Sequence, residues 1–189
     1  MSGHGHGHHE GGNTKVALLI SVLALFLSFS EMLGKHAEKT YIASNIDANN
    51  IWAFFQAKTI RRSLVQNLGE LIEIEAVGVT DEARKAAIAK QLDTWKKLSA
   101  RLQSEPDTNE GRAELMARAQ AAEKKRDLYN IKHEGFEIAS GALQVAIVLA
   151  SAMIITGVVY LAYAAGALGV IALILMAIAQ YAPAILPFH

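Results

Sequence analysis

The chain has 189 residues, of which 52% are apolar, 7% aromatic and 19% charged, with 18 basic side chains against 18 acidic ones. Balanced charge gives no electrostatic footprint for nucleic acid. The absence of cysteine excludes disulfides, thiolate metal sites and cysteine nucleophiles together. The charges are sorted along the chain: from Ile138 to His189 there is no Asp, Glu, Lys or Arg, and between Lys15 and Lys35 only Glu31 is charged. Blocks this long and apolar read as membrane spans.

Residues 1–14 form a His/Gly-rich tail expected to be disordered. Its His4, His6, His8 and His9 are candidate ligands for Zn²⁺, Ni²⁺ or Cu²⁺ through neutral imidazole. Residues 15–34 then supply about the 20 apolar positions that cross about 30 Å of hydrocarbon. Lys15 and Lys35 flank them as anchors. The exit at 29–33 lacks a small-x-small cleavage pattern, so the segment reads as an uncleaved anchor. Glu31 precedes Lys35 by four residues, the favourable order for a helical ion pair. Ala17, Ser21, Ala24 and Ser28 form a small-residue strip suited to close helix contact, within or between subunits.

Residues 35–137 read as a helical, coiled-coil hairpin. Ile46, Asn50, Ala53, Ala57, Ile60, Leu64, Asn67, Leu71 and Ile74 alternate in steps of four and three, the spacing of a seam. Ala53 and Ala57 admit a close partner helix, and Asn50 and Asn67 would fix register. The pattern breaks at 76–80, with Thr80 or Asp81 as N-cap of a second helix. Ile88, Leu92, Trp95, Ser99 and Leu102 are its stripe. Pro106 ends that helix, and Asp107 with Glu110 is expected to form a capping box. The third stripe is Leu115, Ala119, Ala122, Arg126, Tyr129, His133 and Phe136. By rise per residue the legs 36–77 and 80–137 measure about 63 and about 87 Å. The surplus places an irregularity at 104–110, in a projecting antiparallel hairpin or in a compact three-helix bundle on the membrane.

Two further spans are expected at 138–162 and 168–186, reversing through Tyr163–Gly169, whose glycines relax the backbone. The fold class is therefore an all-α membrane protein. Three transmembrane helices carry a long helical hairpin between the first and second.

Trp52, Phe54 and Phe55 place three aromatics in four positions, covering more than one helix face. Either they make an added contact surface, at a subunit interface or a lipid-facing collar, or Trp52 and Phe55 pack on the return leg. This block through Lys58, with the span before it and the uncharged terminal pair, resembles the bacterial membrane family called domain of unknown function 4337. The resemblance covers nearly the whole chain. It implies this architecture and a bacterial membrane address, and it implies no activity.

Phosphate-loop, His-Glu-x-x-His, Gly-x-Ser-x-Gly and dinucleotide motifs are all absent from the sequence. Glu73 and Glu75 face different sides of a helix. Polar residues in the spans (Ser21, Ser28, Ser30, Gln144, Ser151, Thr156 and Gln180) suit interhelical hydrogen bonds or a pore lining. His36 and His133 flank the spans near Glu38 and Glu134, a candidate pH- or metal-responsive patch. The expected protein is no enzyme and uses no cofactor; its partners are the lipid bilayer and further copies of itself. The leading reading is a self-associating scaffold of the bacterial inner membrane, with an oligomeric channel or transporter as rival and a metal- or pH-responsive regulator third. Lys35, Lys39, Lys124, Lys125, Arg126 and Lys132 outnumber Lys15, which puts the helical domain in the cytoplasm by the positive-inside rule.

Overall fold

Helix follows wherever the apolar period is 3.6 and neither proline nor left-handed backbone interrupts it. The computed structural model describes residues 10–187, so the histidines at 4, 6, 8 and 9 lie outside the described residues. Four helices succeed one another: α1 (Glu10–Ala76), α2 (Glu82–Gln103), α3 (Arg112–Thr156) and α4 (Val159–Tyr181), followed by a 3-10 turn at Pro183–Ile185. α1 opens at Glu10, inside the expected disordered tail, because lengthening a nucleated helix by a turn costs little. α1, α3 and α4 are each long and apolar enough to cross a membrane.

The breaks have local causes. Past α1, the Val77 and Val79 amides donate to Ile74 and Ala76 carbonyls at 3.3 and 3.2 Å. Asp81 then caps α2, its carboxylate accepting from the Ala83 amide at 3.0 Å. The box expected from Asp107 and Glu110 does not form. Asn109 takes the left-handed conformation (φ 55°) after Pro106, which delays helix until Gly111, whose carbonyl accepts from the Leu115 amide at 2.9 Å. Glu114 caps the break instead, accepting from the Ser104 hydroxyl at 2.6 Å and the Glu105 amide at 3.2 Å.

The last reversal also departs from expectation. It lies at Gly157 (φ 72°) and Val158, not at Tyr163–Gly169, so α3 ends six residues early and α4 begins nine early. Among the described glycines, Gly157 alone has the left-handed backbone that favours a helix terminus. Gly169 serves packing: a Cβ there would lie 2.6 Å from Leu23 Cδ2. α4 correspondingly ends at Tyr181, before Pro183.

The chain divides into two compact units, one holding the described chain up to Ile42 and from Arg126 onward, the other Ala43–Lys125. In the first, Val16 and Leu23 of α1, Leu143, Ala146 and Ala150 of α3, and Ala165 and Ala172 of α4 form one core. The alanines of this core let the helix backbones approach closely. Phe136, Ala179 and Leu186 form a second cluster. The Ser140 hydroxyl donates to Ser30 at 2.9 Å, and Ser30 donates to the Phe136 carbonyl at 3.0 Å. The strip Ala17, Ser21, Ala24 and Ser28 is exposed, with Ser21 and Ser28 donating back to Ala17 and Ala24 carbonyls. It makes no contact within this unit's core.

In the Ala43–Lys125 unit, Ala48 and Ile51 bury against Leu115, Ala119 and Ala122, with Trp52 and Phe55 beside them. Further along α1, Val65 and Gly69 face Leu92, Trp95 and Ser99 across a groove. Cross-helix contacts run in opposite order, Trp52 to Glu123, Thr59 to Arg112 and Glu73 to Lys96, so α1 is antiparallel to both returning segments. The stripes expected on α2 and α3 face inward as predicted. The stripe expected on α1 does not: Ile46, Asn50, Ala53, Ala57, Ile60, Leu64, Asn67, Leu71 and Ile74 are all exposed. The buried positions are offset by two residues, about 200° around the helix. The inward face carries Trp52 and Phe55, the largest apolar bodies available, and burying them outweighs the regular but smaller seam.

Packing tolerance in the first unit gives a direct prediction. A Cβ on Gly135 would lie 2.7 Å from Ala179 Cβ and 2.9 Å from Leu186 Cδ1, whereas one on Gly141 meets nothing within 4 Å. Gly135→Ala should cost about 1–3 kcal/mol through overpacking. Gly141→Ala should be neutral or raise stability by up to about 1 kcal/mol. Thermal unfolding of both variants in one detergent checks the difference.

Candidate functional site

Two groups of polar side chains stand out, one in each unit. The first is a clasp that joins α1 to the α2–α3 break. Trp52 and Phe55 are one turn apart and meet edge to face, centroids 5.3 Å apart at 88°, the arrangement ring quadrupoles prefer. The Trp52 indole Nε1–H donates to Glu123 Oε1 at 2.9 Å. The Arg112 guanidinium lies 5.0 Å from the Phe55 ring centre and donates to Thr59 Oγ1 at 2.8 Å and Gln103 Oε1 at 2.7 Å. Lys58, its side chain 14% exposed, sits 3.8 Å from Glu105 and 3.9 Å from Glu110, and 5.4 Å from the Phe54 ring. Every residue from Trp52 to Lys58 thus falls on one of two faces. Trp52, Phe55 and Lys58 hold the fold; Ala53, Phe54, Gln56 and Ala57 are exposed.

The carboxylates of this clasp favour ionisation. The hydrogen bond from Arg101, at 2.5 Å, holds Glu105 below its usual range, with smaller help from Thr108 and Lys58. The Ser104 hydroxyl, and then backbone amides, do the same for Glu114. Gly111 completes the joint. A Cβ there would collide with the Glu105 backbone nitrogen and come within 2.6 Å of Ser104 Cα.

The second group lines a cleft of about 500 Å³ in the first unit. α1 contributes Ser30, Glu31, Gly34, Lys35 and Glu38; α3 contributes His133, Phe136, Glu137, Ser140, Gly141 and Gln144. His133 Nδ1 is 3.4 Å from the Gly34 carbonyl, and its Nε2 is 3.9 Å from Glu137. Glu31 and Lys35 both face this cleft, and no ion pair joins them among the described residues. Of the expected patch His133 and Glu38 line the cleft, whereas Glu134 does not and His36 is exposed, its carbonyl accepting from Thr40. One residue of register separates it from the cleft wall at Lys35. Among the described residues no three His, Asp or Glu side chains are grouped to hold a metal ion. Both serine hydroxyls donate to other partners, so neither is aligned with the imidazole as a nucleophile would be. The cleft is a polar recess where α1 and α3 pass from apolar to charged sequence, and its signal in the sequence was Glu31 with Gln144.

The class is an α-helical protein in which three helices are long and apolar enough to cross a membrane. The chain belongs to the family described as domain of unknown function (DUF4337), whose model matches residues 12–182. No curated protein and no solved structure matches it.

The clasp sets a pH dependence. Glu105 and Glu114 have lower pKa values folded than unfolded. The stability they contribute is therefore complete above the ordinary carboxylate range and is lost as pH falls through their depressed folded values. Thermal stability of the full chain in detergent should hold from neutrality to about pH 5 and decline below about pH 4. Glu105→Gln with Glu114→Gln should lower the neutral plateau and flatten that decline, measured by circular dichroism melts across the series.

Proposed function

We propose that this chain is a self-associating scaffold of the bacterial inner membrane, anchored by α1, α3 and α4, with the Ala43–Lys125 unit in the cytoplasm. The observation that carries the reading is the outward face of α1 in that unit. Ile60 is 70% exposed and Ile74 72%, and Leu64 and Leu71 are similarly bare. A contiguous row of large apolar side chains this exposed is the kind of patch that marks an interaction site. Separately, in the first unit, the Ala17, Ser21, Ala24 and Ser28 strip is free for helix contact in lipid. The cytoplasmic placement rests on the six basic residues flanking the middle segment against Lys15. A non-catalytic role suits side chains that are spent on structure: Arg112, Glu114 and Ser104 bond one another's segments and leave no aligned acid, base and nucleophile.

The cleft supports a second reading, a channel or transporter, because Glu31 and Gln144 bring polar groups to apolar helices. Thr156 is less apt, since its hydroxyl donates to Ala152, and Gln180 lies outside the cleft.

Light scattering of the full chain in detergent, corrected for bound detergent, tests the leading reading. More than one copy per particle is expected at micromolar concentration. A monomer overturns it, and an ion conductance in proteoliposomes that falls with Gln144→Leu would favour the second.

A further inference from the structure

The outward face of α1 has a property that exposure alone does not give. From Ile46 to Ile74 its nine positions alternate by four and three residues without a fault, a strict heptad with Asn50, Ala57, Leu64 and Leu71 at one core position and Ile46, Ala53, Ile60, Asn67 and Ile74 at the other. A helix that only meets solvent or a globular core keeps a 3.6 period. A sustained 3.5 period is the requirement of a left-handed supercoil with a helix of the same pitch. α2 and α3 do not supply that helix, because they occupy the opposite face.

We infer that the stripe Ile46–Ile74 is a parallel, in-register coiled-coil seam whose occupant is α1 of a second copy of this chain. The inference rests on the self-association proposed above and names its surface. Three observations favour a second copy. Chains inserted in one membrane with one topology present α1 in the same direction, so identical residues meet across the seam. None of the nine positions is charged, so that self-meeting brings no like charges together in the core. Asn50 and Asn67 each meet their own kind, and a carboxamide donates and accepts at once, so the pair satisfies itself and penalises other registers. The area also suffices. With Phe54 and Leu68 widening the row, the exposed apolar side chains offer on the order of 600 Å² per copy, near the roughly 800 Å² per partner of stable complexes. At the seam's edge, Gln56 falls beside the second copy's Arg61. Glu70 falls beside the second copy's Glu75, and the pairing of Glu75 with Arg84 in its own chain offsets that repulsion.

The chain has no native cysteine, so single substitutions report proximity without background. Ile60→Cys and Leu64→Cys should form disulfide-linked dimers on mild oxidation of the full chain in membranes, since a seam brings matching positions within reach of disulfide geometry, and about tenfold more than Lys90→Cys on exposed α2. Light scattering is run on the parent alongside. Oligomeric particles whose seam cysteines link no better than Lys90→Cys overturn the seam and leave self-association standing. Monomeric particles overturn both. Linkage of Leu64→Cys to a different polypeptide, seen as an adduct whose mass is not twice the chain, overturns the choice of a second copy.

Discussion

In the Ala43–Lys125 unit, α1 is packed on one face only, and this division of its surface decides what the rest of the unit does. The inward face takes Trp52, Phe55 and Val65 onto α3 and α2. Each large apolar side chain buried in this way is worth about 1.5–3 kcal/mol by area, so the aromatic pair fixes which side of the helix turns in. Beside Ala48 and Ile51, which also turn inward, the regular row from Ile46 to Ile74 is left facing out, where the same physics favours finding it a partner. The outward stripe is a consequence of the inward one.

Antiparallel return against α1 imposes a second demand. α2 and α3 run the same way along α1, so the chain must break between them without losing that contact, and it does so at 104–111. Pro106 stops one helix, Asn109 takes the left-handed conformation before the next begins, and Gly111 admits the backbone of Ser104 and Glu105. The charged groups then gather there: Arg101 to Glu105, Arg112 to Thr59 and Gln103, and Lys58 toward Glu105 and Glu110. Exposed ion pairs contribute little singly. Here several share partners around partly covered carboxylates, which gives the joint its defined geometry. The segment Trp52–Lys58 is the α1 side of this joint, where Trp52, Phe55 and Lys58 have structural duties.

Much of this was legible in the sequence, because long helices obey periodicity. The inward stripes of α2 and α3, the Asp81 cap and the break after Pro106 followed from spacing, proline and capping chemistry. The misreadings share a cause, which is that local pattern does not say which of two competing faces wins. Glycines at 166 and 169 looked like a turn, yet Gly157 made it and Gly169 met Leu23. The α1 heptad looked like the hairpin's core, yet two aromatics offset by half a turn took that place. The small strip on the first span faced away from its own bundle for the same reason. Of the candidate site, Glu31 and Gln144 were visible as polar residues in apolar helices. His133 could be placed beside Glu137 and His36 excluded only once α1 and α3 had a register.

The central claim is that the two faces of α1 have separate duties, the inward one for the fold and the outward one for assembly. It is tested most directly by combining Trp52→Ala with Phe55→Ala in one variant and Ile60→Asp with Leu64→Asp in another. Helical melting and particle mass are then read on the same detergent samples. The outward variant should keep its helical signal and melting temperature while falling to a monomer. The inward variant should lose melting temperature, since truncating a fully buried aromatic costs about 3–5 kcal/mol and these half-buried rings forfeit part of that. An outward variant that stays assembled, beside an inward variant that dissociates with its helices intact, would contradict the account.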